Sequence, residues 1–152
     1  MLLVSYQIDQ SGKIEQTSKP TTVTLANGFI RTVKINAVEK RKLIKAMIEL
    51  DYPNLNYMHK MFSALVFILL RNAKSPEVII DKEYPGHEAD IKNMLLHYFD
   101  KYKITPPEIS FGLVGKKAKA HIFGIETYRG RKKPDVTVNL QDLLKIIYGK
   151  AK

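Results

Sequence analysis

Apolar positions open the chain: LLVSYQID, residues 2–9, is apolar or alternating over eight positions and then meets Gln10-Ser11-Gly12. That pattern predicts a strand leading into a hairpin turn. Residues 13–25 carry Ile14, Thr17, Thr21, Thr22, Val23, Thr24 and Leu25, interrupted at Lys19-Pro20, and close at Asn27-Gly28. Asn-Gly between two β-rich runs is a strong hairpin signal. FIRTVKI, residues 29–35, alternates as a third strand, so three sequential antiparallel strands are expected.

From Val38 the period changes to helical, with Leu43, Ile44, Met47, Ile48 and Leu50 on one side and Lys40, Arg41, Lys42 and Lys45 on the other. A second helix is expected over residues 55–73, between Pro53 and Pro76. Its centre, MFSALVFILL, is nearly all apolar but bracketed by Lys60 and Arg71. It falls short of the roughly 20 residues a membrane-spanning helix needs, so it reads as a buried core helix. EVIID, residues 77–81, has the apolar character of a central strand, and residues 88–102 form an amphipathic pattern broken by Pro106-Pro107. ISFGLV, residues 109–114, predicts another strand, residues 118–128 a helix, residues 129–134 a basic turn, and residues 139–148 a terminal helix capped by Asn139. No repeat or low-complexity linker divides the chain. Residues 1–152 are read as a single α/β domain in which three antiparallel strands precede an α-β-α-β-α series.

Composition narrows the function. The hydrophobic fraction of 45% argues against disorder, and 25 Lys+Arg against 15 Asp+Glu give a net charge of +10. Such a balance suits a polyanionic partner, nucleic acid or an acidic membrane surface, although it also serves solubility alone. Cysteine is absent, which excludes disulfide scaffolds, thiolate zinc sites and cysteine nucleophiles. The opening MLLVSYQID lacks the basic flank and long apolar stretch of a signal peptide, so an intracellular, cytoplasmic protein is expected.

Two carboxylates occupy matched places: Asp9 ends LLVSYQID and Asp81 ends EVIID. Side chains at the carboxyl ends of central strands project into the crevice where α/β sheets bind ligands. On adjacent strands the two would face each other within about 6 Å, and paired carboxylates repel unless a proton or a hard cation such as Mg2+ or Mn2+ separates them. Read singly, each Asp is an ordinary strand-end turn residue. Glu83 is the third carboxylate, in IDKEYPGHE; Glu88 there suits a helix start and His87 a solvated loop. His121, in GKKAKAHIFGIE, lies where a loop from ISFGLV would reach the same sheet end, as metal ligand, proton carrier or partly buried structural histidine. His59 and His97 lie on helices without ligand companions. Lys116, Lys117, Lys119, Arg129, Arg131, Lys132 and Lys133 surround one helix against the single acid Glu126, either as a phosphate-contacting patch or as a solvated face.

Taken together, the strand and helix order, the IDQSG opening, the IDKEY strand end and the KKAKAHIFGIE segment resemble the ribonuclease-H-like superfamily of nucleases, transposases and junction resolvases. IDQSG is also similar to a branch of that superfamily whose members begin with an Asp-x-Ser-Gly turn. The resemblance implies a ribonuclease-H-like mixed sheet flanked by helices. It further implies catalytic Asp9, Asp81 and His121, Mg2+ or Mn2+ held by Asp9, Asp81 and Glu83, hydrolysis of DNA or RNA, and no membrane partner. Many members supply a Glu from the first helix; here that position falls on Lys42, leaving Glu83 or Glu39 to substitute, or an incomplete site that binds without cutting. Three readings follow: a metal-dependent nuclease, a catalytically inactive nucleic-acid-binding protein on the same fold, and a structural or regulatory protein whose charge only keeps it soluble.

Overall fold

The three opening strands are β1 (Tyr6–Ser11), β2 (Thr21–Ala26) and β3 (Arg31–Ile35) in a computed structural model, which describes residues 5–26, 29–73, 76–115 and 118–149. They pair antiparallel, with Asp9 opposite Thr24 and Val23 opposite Val33. Then follow α1 (Ala37–Asp51), α2 (Tyr57–Leu70), β4 (Glu77–Asp81), α3 (Glu88–Lys101), β5 (Glu108–Gly112), α4 (Lys119–Tyr128), β6 (Val136–Val138) and α5 (Leu140–Tyr148). The sheet order is β5-β4-β1-β2-β3-β6, with β1·β4, β4·β5 and β3·β6 parallel, so the fold is α/β with a mixed six-stranded sheet.

Strand alternation gives the sheet two unlike faces. Ile8, Val23, Leu25, Val33 and Ile35 point into the core against α2, whose residues 61–70 are all buried. Among the described residues no helix is long and apolar enough to cross a membrane. On the opposite face Asp9 and Ser11 stand beside Thr24 and Thr22, and α4 packs over β1, β2 and β3 there. A Cβ on Gly124 of α4 would come within 2.8 Å of Ser11 Oγ and 2.9 Å of Thr24 Oγ1, so glycine sets how closely this helix approaches.

Four details depart from the sequence expectation. Gln10 and Ser11 continue β1, paired with Val23 and Thr22, and the chain turns at Gly12, whose φ is +81°. Residues 13–20 fold as turns instead of extending β2, with Ile14 plugged into the core and Lys40, expected on the polar side of α1, fully buried beneath them. Lys40 Nζ donates to Lys13 O, Gln16 O and Thr21 Oγ1 at 3.0, 2.8 and 3.1 Å. The fourth departure is β6, a short strand on the edge of β3 that follows Asp135, whose Oδ2 accepts from the Thr32 amide at 2.8 Å. The Asn27-Gly28 hairpin signal lies outside the described residues. The terminal helix carries the expected cap, Asn139 Oδ1 accepting from the Asp142 amide while Asp142 Oδ2 accepts from the Asn139 amide.

Candidate metal centre

β1 and β4 run side by side with Ile8 level with Ile80, so the next residue of each, Asp9 and Asp81, reaches the same end of the sheet on the same face. A hydrogen bond from the Val114 amide to Asp81 Oδ1, 2.8 Å, fixes one carboxylate. The chain turns sharply after β4, with Glu83 N donating to Asp81 O at 2.8 Å, and this returns Glu83 to the sheet end. One oxygen from each of Asp9, Asp81 and Glu83 lies within 4.8 Å of the others. The expected approach of the two aspartates is met.

The surroundings orient all three acids. His121, in the first turn of α4, places Nδ1 2.9 Å from Asp9 Oδ2, a contact that the close seating of α4 through Gly124 permits. Gln10 Nε2 donates to Glu83 Oε1 at 3.4 Å, and Tyr84 Oη donates to Gln10 Oε1 at 3.2 Å. Burial raises the Asp9 pKa, opposed by the His121 hydrogen bond and reinforced by the charge of Asp81. Burial, followed by the charges of Asp81 and Asp9, pushes Glu83 up to about 7. Three like charges so close together favour a shared proton or a cation between them.

This electrostatic load has a measurable consequence. Between the ordinary carboxyl value of 4.5 and about 7, the folded chain holds a proton on Glu83 that the unfolded chain has lost. Stability therefore falls as pH rises through that window. In chelator at pH 8, Glu83→Gln is expected to be more stable than wild type by about 1–2 kcal/mol, after allowance for partial solvent screening. Urea melts at pH 8 and pH 4 check it: the gain vanishes at pH 4, and a difference independent of pH would contradict the charge argument.

Lys42 and Glu39 on α1 take no part. Lys42 is exposed and pairs with Glu39 at 3.5 Å, while Glu39 Oε1 accepts from the Leu140 amide at 3.4 Å and so faces α5. Glu83 is the third carboxylate instead. Lys119, Arg129, Arg131, Lys132 and Lys133 are exposed, with Arg131 3.6 Å from Glu126 and Lys132 Nζ 4.1 Å from the Phe123 ring centre; Lys116 and Lys117 lie outside the described residues. Among the described residues these cations do not form one cluster. Lys119 sits at the His121 end of α4 and the others beyond its far end, about 15 Å away for a ten-residue helix.

The sequence leaves His59 without ligand companions, and the structure corrects this. His87, at the start of α3, stacks on it with ring centres 4.2 Å apart, and Asp90 Oδ2 lies 3.4 Å from His87 Nδ1. His97 is exposed on α3, as a bland helix residue would be. Glu88 falls in the first turn of α3 and accepts from the His87 amide, as its placement at a helix start implied. No protein-family model matches the chain, and neither the curated proteins nor the solved structures contain a match to it.

Proposed function

We propose that this chain is a ribonuclease-H-like, metal-dependent nuclease that hydrolyses phosphodiester bonds of DNA or RNA. The observation that carries the reading is the convergence of Asp9, Asp81 and Glu83 at the ends of adjacent parallel strands. The strand order β3-β2-β1-β4-β5, antiparallel then parallel, supports the same reading. An all-oxygen donor set of this kind fits Mg2+ or Mn2+, and Asp9, Asp81 and Glu83 would hold it. When bound, the ion supplies an activated water and offsets charge developing on the phosphate.

The chain's own residues do the rest. His121 holds Asp9 through Nδ1, which leaves Nε2 as the atom able to take or return a proton. Lys119 and the Arg129–Lys133 cations stand at opposite ends of α4, and about 15 Å is the rise of roughly four to five base pairs at about 3.4 Å each. A duplex lying along α4 would meet both groups. Neutralising Arg131, Lys132 and Lys133 together is expected to lower the salt slope of binding by about 0.9 per lost duplex-phosphate contact. Removing Arg131 also frees the Glu126 carboxylate, which adds to the loss. A salt titration of that triple variant with an unchanged slope would make these cations a solvated face.

Lys42, standing where the related helix carries a carboxylate, favours a second reading: a nucleic-acid-binding protein on the same fold without catalysis. Incubating single- and double-stranded DNA and RNA with the protein in Mg2+ and in Mn2+ separates the two. Cutting supports the nuclease; binding without cutting supports the second reading. A protein that neither cuts nor binds would leave the charge to serve solubility alone.

A further inference from the structure

We propose that His59, His87 and Asp90 form a second metal site, distinct from the carboxylate centre and suited to a borderline ion such as Zn2+. The three donors come from two segments: His59 from α2, and His87 and Asp90, three residues apart, from the start of α3. One donor atom of each lies within 4.8 Å of the others. Two imidazoles and a carboxylate match the three-ligand sets that hold zinc with one open position, whereas the all-carboxylate group nearby matches harder ions. His87 and Asp90 are half exposed, so that open position faces water.

Ordinary ring packing and a surface ion pair account for only part of this arrangement. The His59 imidazole is nearly buried, and its contacts are the rings of Tyr84, 5.6 Å away, and His87. Among the described residues no hydrogen bond engages its nitrogens, and neither nitrogen is sealed from solvent, so a lone pair stays open to a ligand arriving from water. The positive end of α3 opposes a cation here, and Glu88 and Asp90 in its first turn offset that field. The same loop that brings Glu83 to the first centre ends at His87, and Tyr84 between them packs on His59 and Phe62. An ion at this site would therefore anchor the loop at the end opposite Glu83.

The test uses the full chain without a histidine tag, freed of metal by chelator and titrated calorimetrically with Zn2+, with Co2+ absorbance as a second readout. Wild type is expected to bind one such ion in the presence of excess Mg2+. His87→Ala and Asp90→Ala, both exposed and outside the core, should each weaken binding at least about tenfold. The Asp9→Asn, Asp81→Asn double variant should keep wild-type Zn2+ affinity, because its substitutions lie in the other centre. His59→Ala is set aside because loss of a buried ring can unfold the chain. Absence of Zn2+ binding, wild-type affinity in either alanine variant, or loss of affinity in the double asparagine variant would overturn the site. The result is independent of whether the first centre cuts nucleic acid.

Discussion

Asp9→Asn and Asp81→Asn are each expected to bring Mg2+- or Mn2+-dependent cleavage down to the level of buffer alone while leaving affinity for the polynucleotide intact or raised. Each exchange keeps the side-chain shape and removes one of three converging negative charges. The ion loses a charged oxygen ligand, and the approaching polyanion meets less repulsion. In Asp9→Asn the side-chain amide can still hydrogen-bond His121, so α4 stays seated and the fold is retained, which circular dichroism checks. His121→Ala acts through a proton and not through a ligand charge, so its loss should be smaller, on the order of 10²–10⁴-fold. Cleavage that survives either asparagine exchange would remove the carboxylate centre from catalysis. Loss of binding in the asparagine variants, with the fold intact, would make the acids a recognition element instead.

What could be read from the sequence follows from how local each determinant is. EVIID is β4 residue for residue, because five apolar-rich positions between Pro76 and a turn need no distant partner to be recognised. Asn139 is equally local, since its cap closes on Asp142 three residues on. The pairing of Asp9 with Asp81 was legible because a strand end states where a side chain emerges, and only adjacency had to be supplied by the fold. Val136–Val138 was not legible: three residues after a basic turn become a strand only because the edge of β3 is free to pair with them. Ile14 and Thr17 suggest a strand by composition, yet their backbone is held in turns by a lysine more than twenty positions later. His59 gave no sign of its neighbours, because α2 is apolar around it and its companions arrive from α3.

Lys40→Met is expected to destabilise the chain by about 2–4 kcal/mol at pH 7, a loss that comes from polar partners. Methionine nearly fills the space of the lysine stem, so little cavity is created. Lys13 O and Gln16 O would keep only their turn bonds from the Gln16 and Lys19 amides, and the buried Thr21 Oγ1 would lose its donor; a buried acceptor left unpaired costs about 1–3 kcal/mol. The pH dependence carries its own sign. Burial pushes the amine down to about 8 from 10.5, opposed by the charge of Glu15 and assisted by that of Arg41. Between those values the unfolded chain binds the extra proton, so wild-type stability rises with pH across that window, and the neutral amine still donates to two of its acceptors. The gap between wild type and Lys40→Met should therefore widen from pH 7 to pH 10 in urea melts. A gap that narrows, or a methionine variant as stable as wild type at pH 7, would show that the amine does not hold this segment. The segment matters beyond stability, because it follows directly on β1, which carries Asp9, and it holds Lys13 and Glu15, whose charges both act on Glu83.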